Sequence, residues 1–453
     1  MIFKIKNRLS ALFLCASILL LSACSPDLTQ STAGSTEVTR TSQTTEITQT
    51  STTQATEPTS QTSATTGEPV TTTTPEATTT VTTTTASSTP ATTTTTSVYI
   101  PPSGGFNETG RVKYVFNNLN QTQLSVYNQL AEGVKNNYQQ ITLNTSISVG
   151  DFEAIVSLLK DYEFMYTHIP NNYVYTINQA TGNVSKVEFT YAYSKQQSET
   201  MTNELKAKVD EIIKGIPVST EFDKIVYLHD FIIKNCNYDL NAENIYTAYG
   251  ALVDGKAVCE GYSKAMALLC NSIGIDCILV TGTAKGQPHM WNMIKYNGEW
   301  YHMDLTWDDP VGSKDIFDDD YVQYDYFNIT TDQIMKDHTV INETYFFKLP
   351  TAYSTEGNYF IRTDTYARSV DDSLIIVDKE LRKAVLEKKK AITFKAATQT
   401  LFNDINDKLF TEREIFELLG SLGDDLGNGL KTYTYGRLIN SNYHVITIFL
   451  DYE

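Results

Sequence analysis

The sequence predicts an α+β fold, built as three folded units behind a leader and an unstructured tract. Three observations predict it. From about Gly110 onward, segments with helical apolar spacing are interspersed with segments that alternate as strands do. The stretch from Ser25 to about Pro102 is Thr, Ser, Pro and Gln with almost nothing apolar to bury. At 453 residues with 41% apolar and 11% aromatic residues, the chain can fill two or three separate cores. The expected divisions are 1–23, 24–103, 104–218, 219–341 and 342–453.

The first segment reads as a leader. Lys4, Lys6 and Arg8 precede an apolar run from Ala11 to Leu21 that is too short to span a bilayer. Its end, Leu21-Ser22-Ala23-Cys24, resembles the lipobox of bacterial lipoproteins. That resemblance implies cleavage before Cys24, lipidation of that cysteine and a membrane-anchored protein outside the cytoplasm. An ordinary signal peptide cut near Ala23 is the alternative, and it also exports the chain. The Thr/Ser-rich tract that follows cannot offset its ordering entropy and is expected to be a disordered stalk. A flexible chain of that length reaches roughly 50 Å on average.

The formal net charge is −18, and losing Lys4, Lys6 and Arg8 makes it about three units more negative. Such acidity, without a basic patch carrying interleaved aromatics, argues against nucleic acid as a partner. It serves solubility and identifies no substrate.

The unit 104–218 is read from QTQLSVYNQLAEGV (121–134) and DFEAIVSLLKDY (151–162) as helices, VEFTYAY (187–193) as a strand and SETMTNELKAKVDEIIKGI (198–216) as a long helix. No titratable cluster stands out there. A further helix starts at Thr220, with Asp223 at capping-box spacing and Phe222, Ile225, Val226, Ile232 and Ile233 facing a core. His229 on this helix has no thiol or carboxylate at a fixed spacing and reads as packed or superficial.

The stretch Asp254–Asp309 carries the chemistry and holds all three tryptophans, Trp291, Trp300 and Trp307. Asp254-Gly255 signals a turn, a helical pattern runs from Val258 with Ala265, Leu268 and Leu269 buried, and Gly274 ends it. Cys259 therefore lies in the first turn, where free N–H groups and the macrodipole favour a thiolate. Glu260 beside it opposes ionisation unless its carboxylate points away. CILVTGT (277–283) is a buried strand, and MWNMIKY and EWYHMDLTW are two more joined by Asn297-Gly298, a strong hairpin signal. A two-residue turn sets Trp291 opposite Asp304 and His289 opposite Thr306. His289 and Asp304 then share one face as diagonal neighbours, with Cβ atoms about 7 Å apart or less.

Those three residue types suit acyl transfer. A thiolate attacks a carbonyl, an imidazole shares its proton and protonates the leaving amine, and a carboxylate orients the ring. The Cys259 N–H is the natural first oxyanion donor. Tyr246 and Tyr249 are candidates for lending a hydroxyl, and Trp291 with Trp300 or Trp307 for walling an acceptor tunnel, though strand tryptophans are more often core.

AVCEGYSKAMALLCNSIGI followed by HMWNMIKYNGEWYHMDLTWDDP resembles the core of the transglutaminase-like superfamily, and the match is strong over roughly Lys224–Pro310. The resemblance implies a papain-like catalytic core with smaller α+β domains before and after it. It places Cys259 as nucleophile, His289 as general base and acid, and Asp304 as the orienting carboxylate. The reaction it implies is thiol-dependent acyl transfer on amides of an extracellular protein or peptide, with an amine or water as acceptor. The superfamily also holds peptidases, amidases and inactive relatives, so a surface-tethered binding or scaffold protein is the second reading.

No cofactor is called for. The acidic run Asp315–Asp325 raises calcium but lacks EF-hand spacing and reads as a solvated loop. With Cys24 lipidated and Cys259 free, Cys236, Cys270 and Cys277 leave an odd thiol, and no C-x-x-C pair suggests zinc. Beyond Asn342, YFFKLP and YFIRTDTY read as strands, Asp372–Lys389 as a helix, AITFKAA as a strand, Thr411 with Glu414 as a capping box, and YTYGRLIN with YHVITIFLDY as a closing hairpin. His444 in that last strand reads as structural.

Overall fold

A computed structural model describes residues 112–310, 321–341, 346–426 and 430–452, with three short strand segments at 2–6, 47–49 and 80–82. Cys24, the apolar run before it, nearly all of the Thr/Ser-rich tract and residues 315–320 of the acidic run lie outside the described residues.

The N-terminal unit comprises α1 (Gln121–Lys135), β1 (Gln140–Ile147), α2 (Val149–Tyr162), β2 (Asn172–Ile177), β3 (Val184–Phe189) and α3 (Lys195–Lys214). Asn120, Ser148 and Ser194 each accept an N–H of the helix turn they open, which fixes where α1, α2 and α3 begin. β3 lies between β1 and β2 in an antiparallel sheet, and the segment Ile2–Lys6 pairs with the outer edge of β2. The strand read over 187–193 starts earlier and stops at Phe189, because the chain turns there toward α3.

The core that follows opens with α4 (Glu221–Asn235), capped by Thr220, whose Oγ1 accepts the Asp223 N–H at 3.1 Å. Helix α5 (Cys259–Ser272) packs on a four-stranded antiparallel sheet of order β6-β5-β4-β7: β4 (Cys277–Ala284), β5 (Gln287–Tyr296), β6 (Glu299–Met303) and β7 (His338–Val340). Asn297 and Gly298 both take positive φ, 51° and 85°, the two-residue turn their sequence predicts. The register follows, with Asn292 opposite Met303 and Tyr296 opposite Glu299. One expectation is corrected: the strand stops at Met303 instead of running to Trp307. Asp304 is the N-cap of a helical turn, Leu305–Asp308, because its carboxylate captures the next N–H groups.

The units expected on either side of residue 218 share one continuous hydrophobic core, from Val112 through α2, α5 and β4 to Phe360, and Tyr443 and Val445 of the closing hairpin join it. The C-terminal module has its own, from Ala367 to Leu450. It contains α6 (Val370–Glu387), β8 (Ala391–Ala396), α7 (Gln399–Asn406), α8 (Glu414–Leu426) and the hairpin β9 (Leu430–Asn440) and β10 (Val445–Tyr452). Several expectations are corrected here. Residues 346–358 form no helix or strand, and Tyr359–Arg362 is one helical turn capped by Asn358. The segment instead sends Phe347, Ala352 and Phe360 into the shared core. Thr411 ends a π-helical turn, bonding Asp407, and does not cap α8. His444 sits in the turn before β10, half-buried against Phe402.

Candidate active site

Cys259 is the first residue of α5, and Val258 before it offers no capping side chain. The N–H groups of that first turn therefore face the sulfur's surroundings without an intrahelical acceptor. Gly261 is required two residues later: a Cβ there would lie 2.6 Å from the Ile245 carbonyl oxygen and from the Ala257 Cβ. Ser263, one turn on, donates to the carbonyl of Cys259 (2.8 Å) or of Met290 (3.0 Å), and Asn292 donates to the Ser263 carbonyl at 2.9 Å. These bonds lock the helix onto β5, and β5 carries His289.

His289 and Asp304 are buried, with Nε2 donating to Oδ2 at 2.6 Å. The Cys259 side chain also lies close enough to interact with this imidazole. Burial alone would lower the His289 pKa, but the Asp304 carboxylate and the Cys259 sulfur outweigh it and raise it to about 10. Asp304 moves oppositely: burial pushes its carboxyl up, and the two imidazoles on it bring it well below the usual range. Its other oxygen, Oδ1, accepts the N–H groups of Thr306 (3.0 Å) and Trp307 (3.3 Å).

Trp291 is fully buried and lies beside the His289 imidazole, rings 6.0 Å apart and 19° from parallel. Its indole N–H donates to His302 Nδ1 at 3.0 Å. Since an indole only donates, His302 is a neutral imidazole with its proton on Nε2, toward Thr331 (3.1 Å). Burial agrees, lowering its pKa to about 3. Trp307 is half-buried, 6.1 Å from His289 and covered by the Lys285 ammonium at 4.6 Å, so it belongs to the site's wall. Trp300 packs against Tyr114 instead.

The Glu260 carboxylate is paired elsewhere and does not stand bare beside the Cys259 sulfur as its position suggested. Its carboxylate accepts from Lys264 Nζ at 2.6 Å, and that ammonium also donates to the Lys160 carbonyl at 3.0 Å. Tyr246 stands close enough to Cys259 for the sulfur's charge to raise its phenol pKa, after burial and Glu260. Tyr249 is turned away, donating to Glu204 at 2.6 Å. His229 is fully buried between Asp230 (3.1 Å) and Asp308 (3.2 Å), where it braces the helical turn after Asp304. Burial lowers its pKa, and those carboxylates reverse this to about 9. Asp325, expected in a solvated loop, is buried and accepts from Asn440 of the C-terminal module. Cys236, Cys270 and Cys277 are all free and buried.

Sequence reasoning missed His338. Its Nε2 donates to Asp304 Oδ2 at 3.0 Å and its Nδ1 to Asp337 Oδ1 at 2.6 Å. The donor atoms of His289, Asp304 and His338 lie within 4.8 Å of one another, a spacing an ion could bridge. Oδ2 is already shared by two N–H donors, however, so the set is satisfied as a hydrogen-bonded cluster.

A thiol at a helix start, an imidazole on it and a carboxylate behind the imidazole form an arrangement for thiol-dependent catalysis. Residues 206–305 match the family model described as the transglutaminase-like superfamily, and the chain carries a transglutaminase-like domain with an α+β fold. Among solved structures the chain is similar to a TGase, at 14% identity over 37% of this chain and 50% of that one, TM-score 0.22. It is also similar to a Cytophaga hutchinsonii protein provisionally described as a cysteine protease, at 16% identity over 27% of this chain and 52% of that one, TM-score 0.20. The chain thus spans about half the length of the solved structures it matches. No curated protein matches it.

Proposed function

We propose that this protein is an extracellular enzyme, held at the membrane by a lipid on Cys24, that transfers acyl groups from amides of proteins or peptides. The observation that carries this reading is the His289 imidazole, 2.6 Å from Asp304 and close enough to Cys259 for the two side chains to interact. The Cys259 thiolate attacks the amide carbonyl, and the oxyanion forms against the open N–H groups at the start of α5. His289 gives its proton to the departing nitrogen as the C–N bond breaks, leaving a thioester. An amine, or water, then attacks the thioester; His289 takes its proton and the thiolate is released. Asp304 keeps the ring oriented and steadies its charge throughout.

The test incubates the full chain with bacterial surface proteins and a labelled primary amine. Incorporation that disappears in Cys259→Ala supports transamidation, and cleavage without incorporation supports a hydrolase. If Cys259 reacts with iodoacetamide at pH 6 no faster than an exposed model thiol, and His289→Ala leaves that rate unchanged, the protein is a binding scaffold.

A further inference from the structure

Behind the catalytic carboxylate lies a buried histidine to which neither the superfamily motif nor the reaction above gives a role. His338, 2% exposed, enters from β7 at the edge of the sheet and places one ring nitrogen on each of two carboxylates. A carboxylate only accepts, so both nitrogens must carry hydrogen and the ring is a cation. We propose that His338 is a positioning residue for the acyl-transfer centre: as a fixed imidazolium between Asp304 and Asp337 it locks the catalytic carboxylate and limits how strongly that carboxylate holds the proton on His289. The inference rests on the reading of Cys259 and His289 as the reacting pair.

The lock is visible in the donor count. Asp304 takes His289 and His338 on Oδ2 and two backbone N–H groups on Oδ1, so its plane cannot turn. Asp337 is fixed in its turn by the hydroxyls of Tyr326, at 2.9 Å on Oδ2, and Tyr443, at 2.9 Å on Oδ1. Tyr443 belongs to the turn of the final hairpin, so the C-terminal module supplies part of the support. Lys336 fastens that turn by donating to the Asn442 carbonyl at 2.6 Å.

The tuning is electrostatic. The His338 and His289 rings are 5.4 Å apart, and a cation at that distance opposes the protonation of its neighbour. The charged and titratable groups facing His338 are His289 and His302 from the β5–β6 hairpin, Asp304 just after it, Asp337 and Lys336 from its own segment, Tyr326 and Tyr443, and Lys285 across Trp307. Burial lowers the His338 pKa, and its bonds to Asp304 and Asp337 turn the balance upward.

The test follows alkylation of Cys259 by iodoacetate in the full chain against pH, read on the labelled peptide by mass spectrometry. An anionic reagent favours thiolate beside imidazolium, so the rate rises as the pair forms and falls as His289 discharges. His338→Gln, which keeps hydrogen bonding and loses the charge, is expected to move the alkaline limb up by about one pH unit. His338→Lys, which keeps the charge, is expected to restore the limb to within a few tenths of a unit. Should His338→Gln fail to fold, Asp337→Asn removes one of the anions that hold the charge and moves the limb the same way by less. A limb unmoved in the Gln variant, or moved equally in the Lys variant, overturns the proposal. His289→Ala separates the two readings: if it leaves the wild-type profile unchanged, the acyl-transfer pair itself is wrong; if it abolishes the alkaline limb, that pair stands whatever His338 does.

Discussion

Replacing Lys264 by methionine removes the charge that balances Glu260 and leaves the methylene stem in place. The two side chains are 9% and 16% exposed and their atoms meet at 2.6 Å, so the lone carboxylate left behind is largely cut off from water. Breaking a buried pair on one side costs about 3–5 kcal/mol, and the partial exposure of Glu260 argues for the lower end, about 3 kcal/mol. With a urea slope of roughly 2–3 kcal/mol per molar, the unfolding midpoint moves down by about 1 M. Tryptophan fluorescence is the appropriate probe, because Trp291, Trp300 and Trp307 all lie in the transglutaminase-like core. The same substitution should slow Cys259 alkylation at pH 6 several-fold, since a bare carboxylate beside the sulfur disfavours the thiolate. Adding Glu260→Gln to Lys264→Met should recover at least half of both losses. If the double variant is no better than the single one, Glu260 does not bear on the nucleophile and the pairing is merely structural.

Two other outcomes are expected. His289, raised from its ordinary value near 6.5 to about 10 by Asp304 and Cys259 against burial, contributes stability that is complete below pH 6.5 and lost as pH climbs through 10. Urea unfolding at pH 6, 8 and 9.5 should therefore show the gap between wild type and His289→Gln closing with pH; a constant gap refutes the coupling. Gly261→Ala should cost about 1–3 kcal/mol in the same assay, because its methyl meets the Ile245 carbonyl at 2.6 Å and the Thr247 carbonyl at 3.0 Å. Stability equal to wild type would show that the loop yields freely.

Local rules made much of this site legible in advance. Asn297-Gly298 set the hairpin register, and the register set the reach from His289 to Asp304. What escaped was whatever depends on long separations or on competition between local rules. His338 lies 34 residues beyond Asp304 on a three-residue strand, with no spacing to announce it. The end of β6 was misjudged because apolar alternation continues through Asp304, while its carboxylate captures two N–H groups and starts a helical turn. Lys264 was within reach: an acid followed four residues later by a base on one helix is a readable pair, and it answers the objection that Glu260 raised. The strands read near residue 346 and from Tyr359 failed since apolar side chains there fill the neighbouring core without pairing backbone; only at Tyr366 does the chain pair, running parallel to β8 beside Lys395.

The continuity of the larger core sets a limit on how this protein can be divided. Tyr162, the last residue of α2, exchanges hydrogen bonds with the backbone of Leu279 in β4, accepting its N–H at 3.2 Å and donating to its carbonyl at 3.4 Å. The Lys160 carbonyl, two residues earlier, holds the ammonium that neutralises Glu260. A domain swap or gene truncation placed at the α3–α4 junction would keep Cys259, His289 and Asp304 and still remove part of the charge balance beside Cys259. The same core takes in Tyr443 and Val445 of the closing hairpin, so a cut after Phe360 would open it as well.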